Sequence, residues 1–371
     1  MSEENSIKNF SYIGIGRSSG IALQAIFYLV FAALLGPGKY GELSVLVALA
    51  GTFSIASRFG MNISLQVFQA KKQSKVSEQI KSLFIITTTA ASLILLIIDV
   101  NASILCASLS FFVMTQQNLL GLSQYKKFMV YTILKSGLFF IIPFLLYFVL
   151  DLPGIILGMS FANFVASIPF FKNLKIVSFS ALKVFRKTLF QNFLFDISQF
   201  VFTVDKLLIS FLFGFFIVGI YQFNLQILFG LGVIPQILVS YLISEEAKGS
   251  THRKINILAI LASIIITIIS ILLTPFFVTE YFPKYSDGIL SLQILTLTLV
   301  PSTIFVIASS KLIARESTKI GFVSLFNVVI LLGSIAVLGT NFGLIGLSLA
   351  VLISSIIITC LTFYLYRQIK N

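Results

Sequence analysis

Six ionisable side chains sit inside stretches that are otherwise apolar: Arg17, Arg58, Lys135, Asp196, Asp205 and Lys206. A charge near the middle of a lipid bilayer costs about 2.5–3.5 kcal/mol on insertion scales, so each one needs a partner or a task. The bilayer is the relevant solvent here. The 371 residues are 57% hydrophobic and only 11% charged, with a mean hydropathy of +1.03, whereas soluble domains carry about 25% charged residues. Arg17 stands about two turns, roughly 12 Å, into the first apolar segment at a rise of about 1.5 Å per residue. Arg58 stands a similar distance from the far end of the second segment, which runs back. The two guanidiniums are therefore expected at comparable depth on neighbouring helices. Guanidinium is a planar, permanently charged fork that matches phosphate oxygens, so the pair suits an anionic group. The alternative is that each snorkels or pairs with Asp196. Gln24 and Tyr28 share the helical face of Arg17, while Gly51, Ser54 and Asn62 share that of Arg58. Lys135, on the fifth segment, is a third candidate cation for binding.

The stretch Phe190 to Gly214 holds the other three charges. At helical spacing Asn192, Asp196, Gln199, Thr203, Lys206 and Ser210 fall on one face, and Asp205 points about 100° away from Lys206. That stripe either closes a polar cavity, with Lys206 as a further ligand, or glues helices together. Asp196, Asp205 and Gln199 are accordingly candidates for a coupling or a structural role. Thr115-Gln116-Gln117-Asn118 places four adjacent polar residues all round one helix, so some of them must face protein or water. The eighth segment adds Gln222, Gln226, Gln236 and Ser240, with Pro235 able to kink it.

Other chemistry is poorly supplied. The single histidine, His252, lies in a loop, and Cys106 and Cys360 lie in apolar segments. No metal cluster or activated nucleophile is readable, and no cofactor is expected. There is no phosphate-binding loop for a nucleotide. Gly16 and Gly20 read as a small-xxx-small packing face.

The elements that must position these residues are twelve apolar segments, near 10–35, 43–68, 82–99, 103–122, 128–150, 153–171, 190–213, 219–243, 255–275, 288–308, 318–338 and 343–366. Each is close to the roughly 20 residues that span a bilayer. The fold class expected is all-α and polytopic. Basic residues alternate between the loops: 20 lie on one side, 2 (Lys39 and Lys284) on the other, and four stand inside segments. The positive-inside rule then puts both termini in the cytoplasm, with the chain in the cytoplasmic membrane, and accounts for the net charge of +13 without nucleic acid. The opening MSEENSIKNF has no basic leader pattern, so no cleaved signal peptide is expected. Outer loops are short. The inner stretch 172–189 alternates apolar and basic residues, suggesting an amphipathic linker on the inner leaflet. It separates an N-terminal six-helix lobe, 1–171, from a C-terminal one, 190–371.

The two halves show traces of a repeat. Gly36 and Gly41 recur as Gly214 and Gly219, and Gly158-Met159-Ser160-Phe161-Ala162 is similar to Gly346-Leu347-Ser348-Leu349-Ala350. The offsets are 178 and 188 residues. Six segments per half make this a parallel repeat about an axis along the membrane normal.

The residues also carry a family likeness. Leu34-Leu35-Gly36-Pro37-Gly38-Lys39-Tyr40-Gly41 with Arg58-Phe59-Gly60-Met61, and Val204-Asp205-Lys206-Leu207-Leu208-Ile209 followed by Gly214 and Gly219-Ile220-Tyr221, resemble polysaccharide-transport flippases. These are the Wzx-type members of the multidrug/oligosaccharidyl-lipid/polysaccharide exporter superfamily. The resemblance implies two six-helix lobes forming a V around a central cavity, and alternating access. It implies a transporter rather than an enzyme, moving lipid-pyrophosphate-linked oligosaccharide from the inner to the outer leaflet. Its partners would be that substrate, membrane lipids and glycan-assembly enzymes. Basic cavity residues would hold the pyrophosphate or sugar, which carries over to Arg17 and Arg58 and then to Lys135 and Lys206. Two other readings stay open. A cation-coupled multidrug exporter of the same superfamily would need an acidic cavity, for which Asp196 and Asp205 are the candidates. A membrane glycosyltransferase or polymerase would need catalytic acids at the membrane face, where only Glu280 and Asp287 offer themselves.

Overall fold

The computed structural model describes residues 3–172, 182–232, 253–314 and 319–370. Within the expected linker, 173–181 lie outside these residues, as do Pro235, Gln236, Ser240 and His252. No strand occurs among the described residues. In order the helices are α1 (Glu3–Arg58), α2 (Met61–Ala70), α3 (Ser74–Leu96), α4 (Val100–Gly121), α5 (Tyr125–Ala166), α6 (Ile168–Phe171), α7 (Leu182–Leu231), α8 (Arg253–Tyr281), α9 (Ile289–Thr296), α10 (Leu299–Ala314), α11 (Lys319–Ser334) and α12 (Thr340–Lys370). A 3-10 turn, Pro283–Gly288, precedes α9, and a π turn, Ile335–Gly339, precedes α12.

Eight of the described stretches are long and apolar enough to cross a membrane. Four of them are broken once, at Gly36, Asp151, Gly214 and Gly343. The eight therefore make twelve arms, and these follow the twelve expected segments. The breaks at Asp151, Gly214 and Gly343 reverse the chain. Tyr221 donates to Asp205 Oδ2 at 3.1 Å, yet sixteen residues of straight helix would separate them by about 24 Å. Gly158 packs on the backbone of Pro143, and Gly346 on the carbonyl of Leu338, across the turns at Asp151 and Gly343. The side chain of Asp99 caps α4 by accepting from the Ala102 amide at 2.7 Å, which separates α3 and α4 as two spans.

The repeat is visible in the backbone. Gly36 (φ 69°, ψ 174°) and Gly214 (φ 77°, ψ 176°) have the same conformation, at the expected offset of 178 residues. Asp151 (φ 54°, ψ −137°) and Gly343 (φ 57°, ψ −134°) match each other too. Their offset is 192, and Gly154 on Leu146 repeats Gly346 on Leu338 at that same offset. The sequence pairing of Gly158 with Gly346, at 188, is therefore one helical turn out of register. Small residues recur every four positions along these packed helices, and a four-residue slip matches nearly as well.

The second expected segment, 43–68, is not one helix. It breaks at Phe59 (φ 40°) and Gly60 (φ 72°). A Cβ on Gly60 would come within 2.5 Å of the Leu189 carbonyl oxygen and the Phe193 nitrogen, so the site demands glycine on two counts.

Two compact units emerge. The first joins Met1–Val30 to Leu46–Thr203, and the second joins Phe31–Val45 to Val204–Asn371. This division departs from the expected lobes in two places. The tip around Gly36 packs with unit 2, where Tyr285 donates to the Ala32 carbonyl at 2.9 Å and its ring lies 6.3 Å from that of Tyr40. The start of α7 packs with unit 1, where Phe193 stacks on Phe59 at 4.2 Å and Asn192 Nδ2 donates to Ser64 Oγ at 2.7 Å. Within unit 1, Met61, Phe84, Met114 and Phe170 centre an apolar core between α2, α3, α4 and α6. Within unit 2, α12 packs on α9, α10 and α11, and a hydroxyl pair, Ser291 with Ser348, joins α9 to it.

Candidate functional site

Unit 1 contains a polar cavity of about 230 Å³ between α1, α4 and α5. Its formation starts with two glycines. A Cβ on Gly16 would lie 3.1 Å from the Met129 Cα, and one on Gly20 would lie 3.4 Å from Ser136 Oγ. The Gly16–Gly20 face thus lets α1 close on α5, as small-xxx-small spacing permits. One turn on either side, Arg17, Gln24 and Ile21 then line the cavity from α1, while Thr132, Lys135 and Ser136 line it from α5. Gln116 and Gln117 complete it from α4.

Among the described residues, two cations and no carboxylate line this cavity. Arg17 is exposed. Lys135 is only 9% exposed. Its ammonium lies over the Phe139 ring at 4.0 Å and near Phe112 at 5.5 Å. Those rings hold the charge by attraction to their faces, without neutralising it. Gln116 Nε2 donates to Thr132 Oγ1 at 3.2 Å, and Thr132 in turn donates to the Phe128 carbonyl at 2.7 Å. The amide is thereby oriented at the cavity wall. Chemically, the cavity offers an exposed guanidinium, a ring-bound ammonium and amide and hydroxyl groups, a set suited to an anion bearing hydroxyls.

Arg17, Gln24 and Lys135, all candidates from the sequence, line one cavity. Arg58 does not join them. It is 8% exposed and donates from Nη1 to Ser54 Oγ at 2.6 Å, with Ser110 Oγ donating to Ser54 in turn at 2.8 Å. Asn62 belongs to the same cluster, and its Nδ2 donates to Asp196 Oδ1 at 3.3 Å. The expected pairing of the two arginines fails because equal depth does not fix rotation about the helix axis. The break at Phe59–Gly60 also ends α1 at Arg58 and starts α2 at Met61. Asn192 and Asp196 of the α7 stripe face α2, and a Cβ on Gly51 of α1 would lie 3.1 Å from Thr203 Cγ2. This part of the stripe joins helices. The Gln199 side chain lies outside the described residues.

In unit 2, Asp205 and Lys206 are both buried. Lys206 Nζ lies 3.5 Å from Asp205 Oδ1, and Tyr221 holds the other carboxylate oxygen. These charges neutralise each other locally. Gln116 and Gln117 were legible as polar residues on a spanning helix, but their assignment to the cavity was not. The phase is fixed by Asn118, whose Oδ1 accepts from Gln69 Nε2 at 3.0 Å. That contact turns the preceding glutamines toward α5.

No protein-family model matches the chain, and no curated protein does. Solved structures do share its fold. A lipid II flippase, MurJ, in an inward closed conformation superposes with a TM-score of 0.77, at 16% identity over 97% of this chain and 87% of that one. An inward-facing multidrug resistance transporter of the MATE family, in the MOP superfamily, gives a TM-score of 0.70 at 15% identity, over 95% and 97% of the two chains. An outward-facing MATE structure gives 0.64 at 16% identity, over 97% and 95%. The chain has the polytopic α-helical fold of these membrane transporters.

Proposed function

We propose that this chain is a flippase for lipid-pyrophosphate-linked oligosaccharide, carrying it from the inner to the outer leaflet of the cytoplasmic membrane by alternating access. The observation that supports it best is the cavity lined by Arg17 and Lys135 and, among the described residues, by no carboxylate. A pyrophosphate is the group such a site favours, and a cationic drug is the group it disfavours. The two buried acids that an exporter of cations could use are engaged elsewhere, Asp196 with Asn62 and Asp205 with Lys206 and Tyr221.

In this reading both termini are cytoplasmic and the two units work as lobes. Arg17 and Lys135 then sit in the inner half of the membrane, each a few turns from the cytoplasmic end of its helix, where an inner-leaflet headgroup enters. The cavity falls below the roughly 300–1,000 Å³ typical of sites for drug-sized ligands. It therefore grips the charged linkage and leaves the glycan and the lipid tail to other surfaces. Gln24, Gln116 and Gln117 supply hydrogen bonds to the first sugar. Arg58, Asn62 and Lys206 shape the surrounding helices. Glycan-assembly enzymes are the partners that would supply and consume the substrate.

The test is translocation of a fluorescent polyprenyl-pyrophosphate oligosaccharide in proteoliposomes, run beside efflux of a cationic dye. Movement of the glycolipid that is lost in Arg17→Ala with Lys135→Ala supports the proposal. Ion-dependent dye efflux without glycolipid movement would replace it with the multidrug reading, which the MATE superposition favours.

A further inference from the structure

The cluster around Arg58 has an unmet hydrogen-bonding requirement. Arg58 Nε, Asn62 Oδ1 and Asp196 Oδ2 are buried atoms without a hydrogen-bond partner. Their residues are 8%, 5% and 6% exposed. One atom is a donor and two are acceptors. They belong to one locality, because Asn62 Nδ2 donates to Asp196 Oδ1 at 3.3 Å and Arg58 ends α1 just across the Phe59–Gly60 break from Asn62 in the first turn of α2. A metal cation would satisfy the two oxygens but is repelled by the guanidinium. An anion would satisfy Arg58 but is repelled by the carboxylate. A water molecule accepts one hydrogen bond, donates two and carries no charge, and so meets all three atoms.

We propose that Arg58, Asn62 and Asp196 enclose one ordered water, forming a water-bridged ion pair that seats the first part of α7 on α1 and α2. Arg58 is then a positioning residue and not a contact for cargo. The surrounding geometry needs such a seat. Gly60 admits the α7 backbone at Leu189 and Phe193 with no room for a Cβ, so the helices approach as closely as backbones can. Asn192 with Ser64 and Phe193 with Phe59 fix the contact on the neighbouring turn. The water lets the two charges attract each other without direct contact.

A buried pair behaves distinctively when it is dismantled. Removing one partner leaves an uncompensated charge, whereas replacing both with apolar residues of similar volume is often neutral. Arg58→Met and Asp196→Leu, each alone, are expected to lower the melting temperature in detergent by about 5–10 °C. Each should also speed amide exchange across residues 189–196. The double variant is expected to return both readings to near the wild type, and to regain translocation. If single variants do not fold, the double variant still decides. A double variant as labile as the singles overturns the ion pair. One that regains stability but stays inactive overturns the positioning role and makes Arg58 a cargo contact. Experimental density showing a metal ion, or a direct Arg58–Asp196 contact, overturns the water. Only the translocation reading rests on the flippase proposal. If the wild type moves no glycolipid, the stability and exchange readings still decide the ion pair.

Discussion

Gly41 and Gly219 make the same contact with each other's hairpin. A Cβ on Gly41 would overlap the Phe215 carbonyl, and a Cβ on Gly219 would overlap the Pro37 carbonyl. Phe215 stands 178 residues after Pro37, and Gly219 stands 178 after Gly41. The two turns therefore interlock through a local two-fold relation, backbone against backbone, inside unit 2.

That reciprocity makes alanine intolerable at both positions. Gly41→Ala and Gly219→Ala are each expected to destabilise the protein by about 1–3 kcal/mol, the usual range for overpacking. Gly38→Ala is the control. It is exposed, with open space where its Cβ would go, and alanine there should be neutral or stabilising by up to about 1 kcal/mol. Thermal unfolding in detergent separates the three.

Asp151 occupies a backbone conformation that its counterpart, Gly343, adopts without strain. A non-glycine residue held in such a region costs about 1–3 kcal/mol. Asp151→Gly is expected to raise the melting temperature. Gly343→Ala should lower it by a comparable amount.

In the cavity, Lys135 is held by aromatic rings and Arg17 is exposed. Losing a charged hydrogen bond to a ligand costs about 1.5–3 kcal/mol, which is about ten- to a hundredfold in rate or affinity. Arg17→Ala and Lys135→Met should each reduce glycolipid translocation by that factor while leaving the melting temperature within a few degrees. Methionine preserves the packing on Phe139, so its effect reports the charge.

Tyr221 donates to Asp205 from a fully buried position. Tyr221→Phe removes the donor and leaves a carboxylate oxygen short of a partner, an expected loss of about 1–3 kcal/mol. Since this pair belongs to unit 2 and the Arg17–Lys135 cavity to unit 1, substrate affinity measured in the folded fraction should not change.

Much of this architecture was legible before any coordinates. Apolar length marks the twelve arms because lipid leaves the backbone no other partner than itself. Gly36 and Gly214 announced their turns, since glycine is the residue that accepts a positive φ freely. Asp151 hid the equivalent turn behind a side chain, so the second repeat was matched through Gly158 and slipped by one turn. Lys135 was findable as an unexplained charge within a span. The separation of Arg58 from Arg17 was not findable. Depth follows from counting residues, but rotation depends on where Phe59 and Gly60 interrupt the helix and on how closely α7 approaches there.

The exchange of segments between the units also dictates the order in which they can be finished. Residues 31–45 are made early yet belong with residues from 204 onward, and unit 1 lacks its last helix until residue 203 has emerged. At about 5–20 residues per second of synthesis, the tip around Gly36 waits roughly ten seconds or more for its partner. During that time Gly41 lacks the Phe215 backbone that it packs against in the finished unit. A gene split at the inner linker would yield two fragments that each lack a piece of their own core.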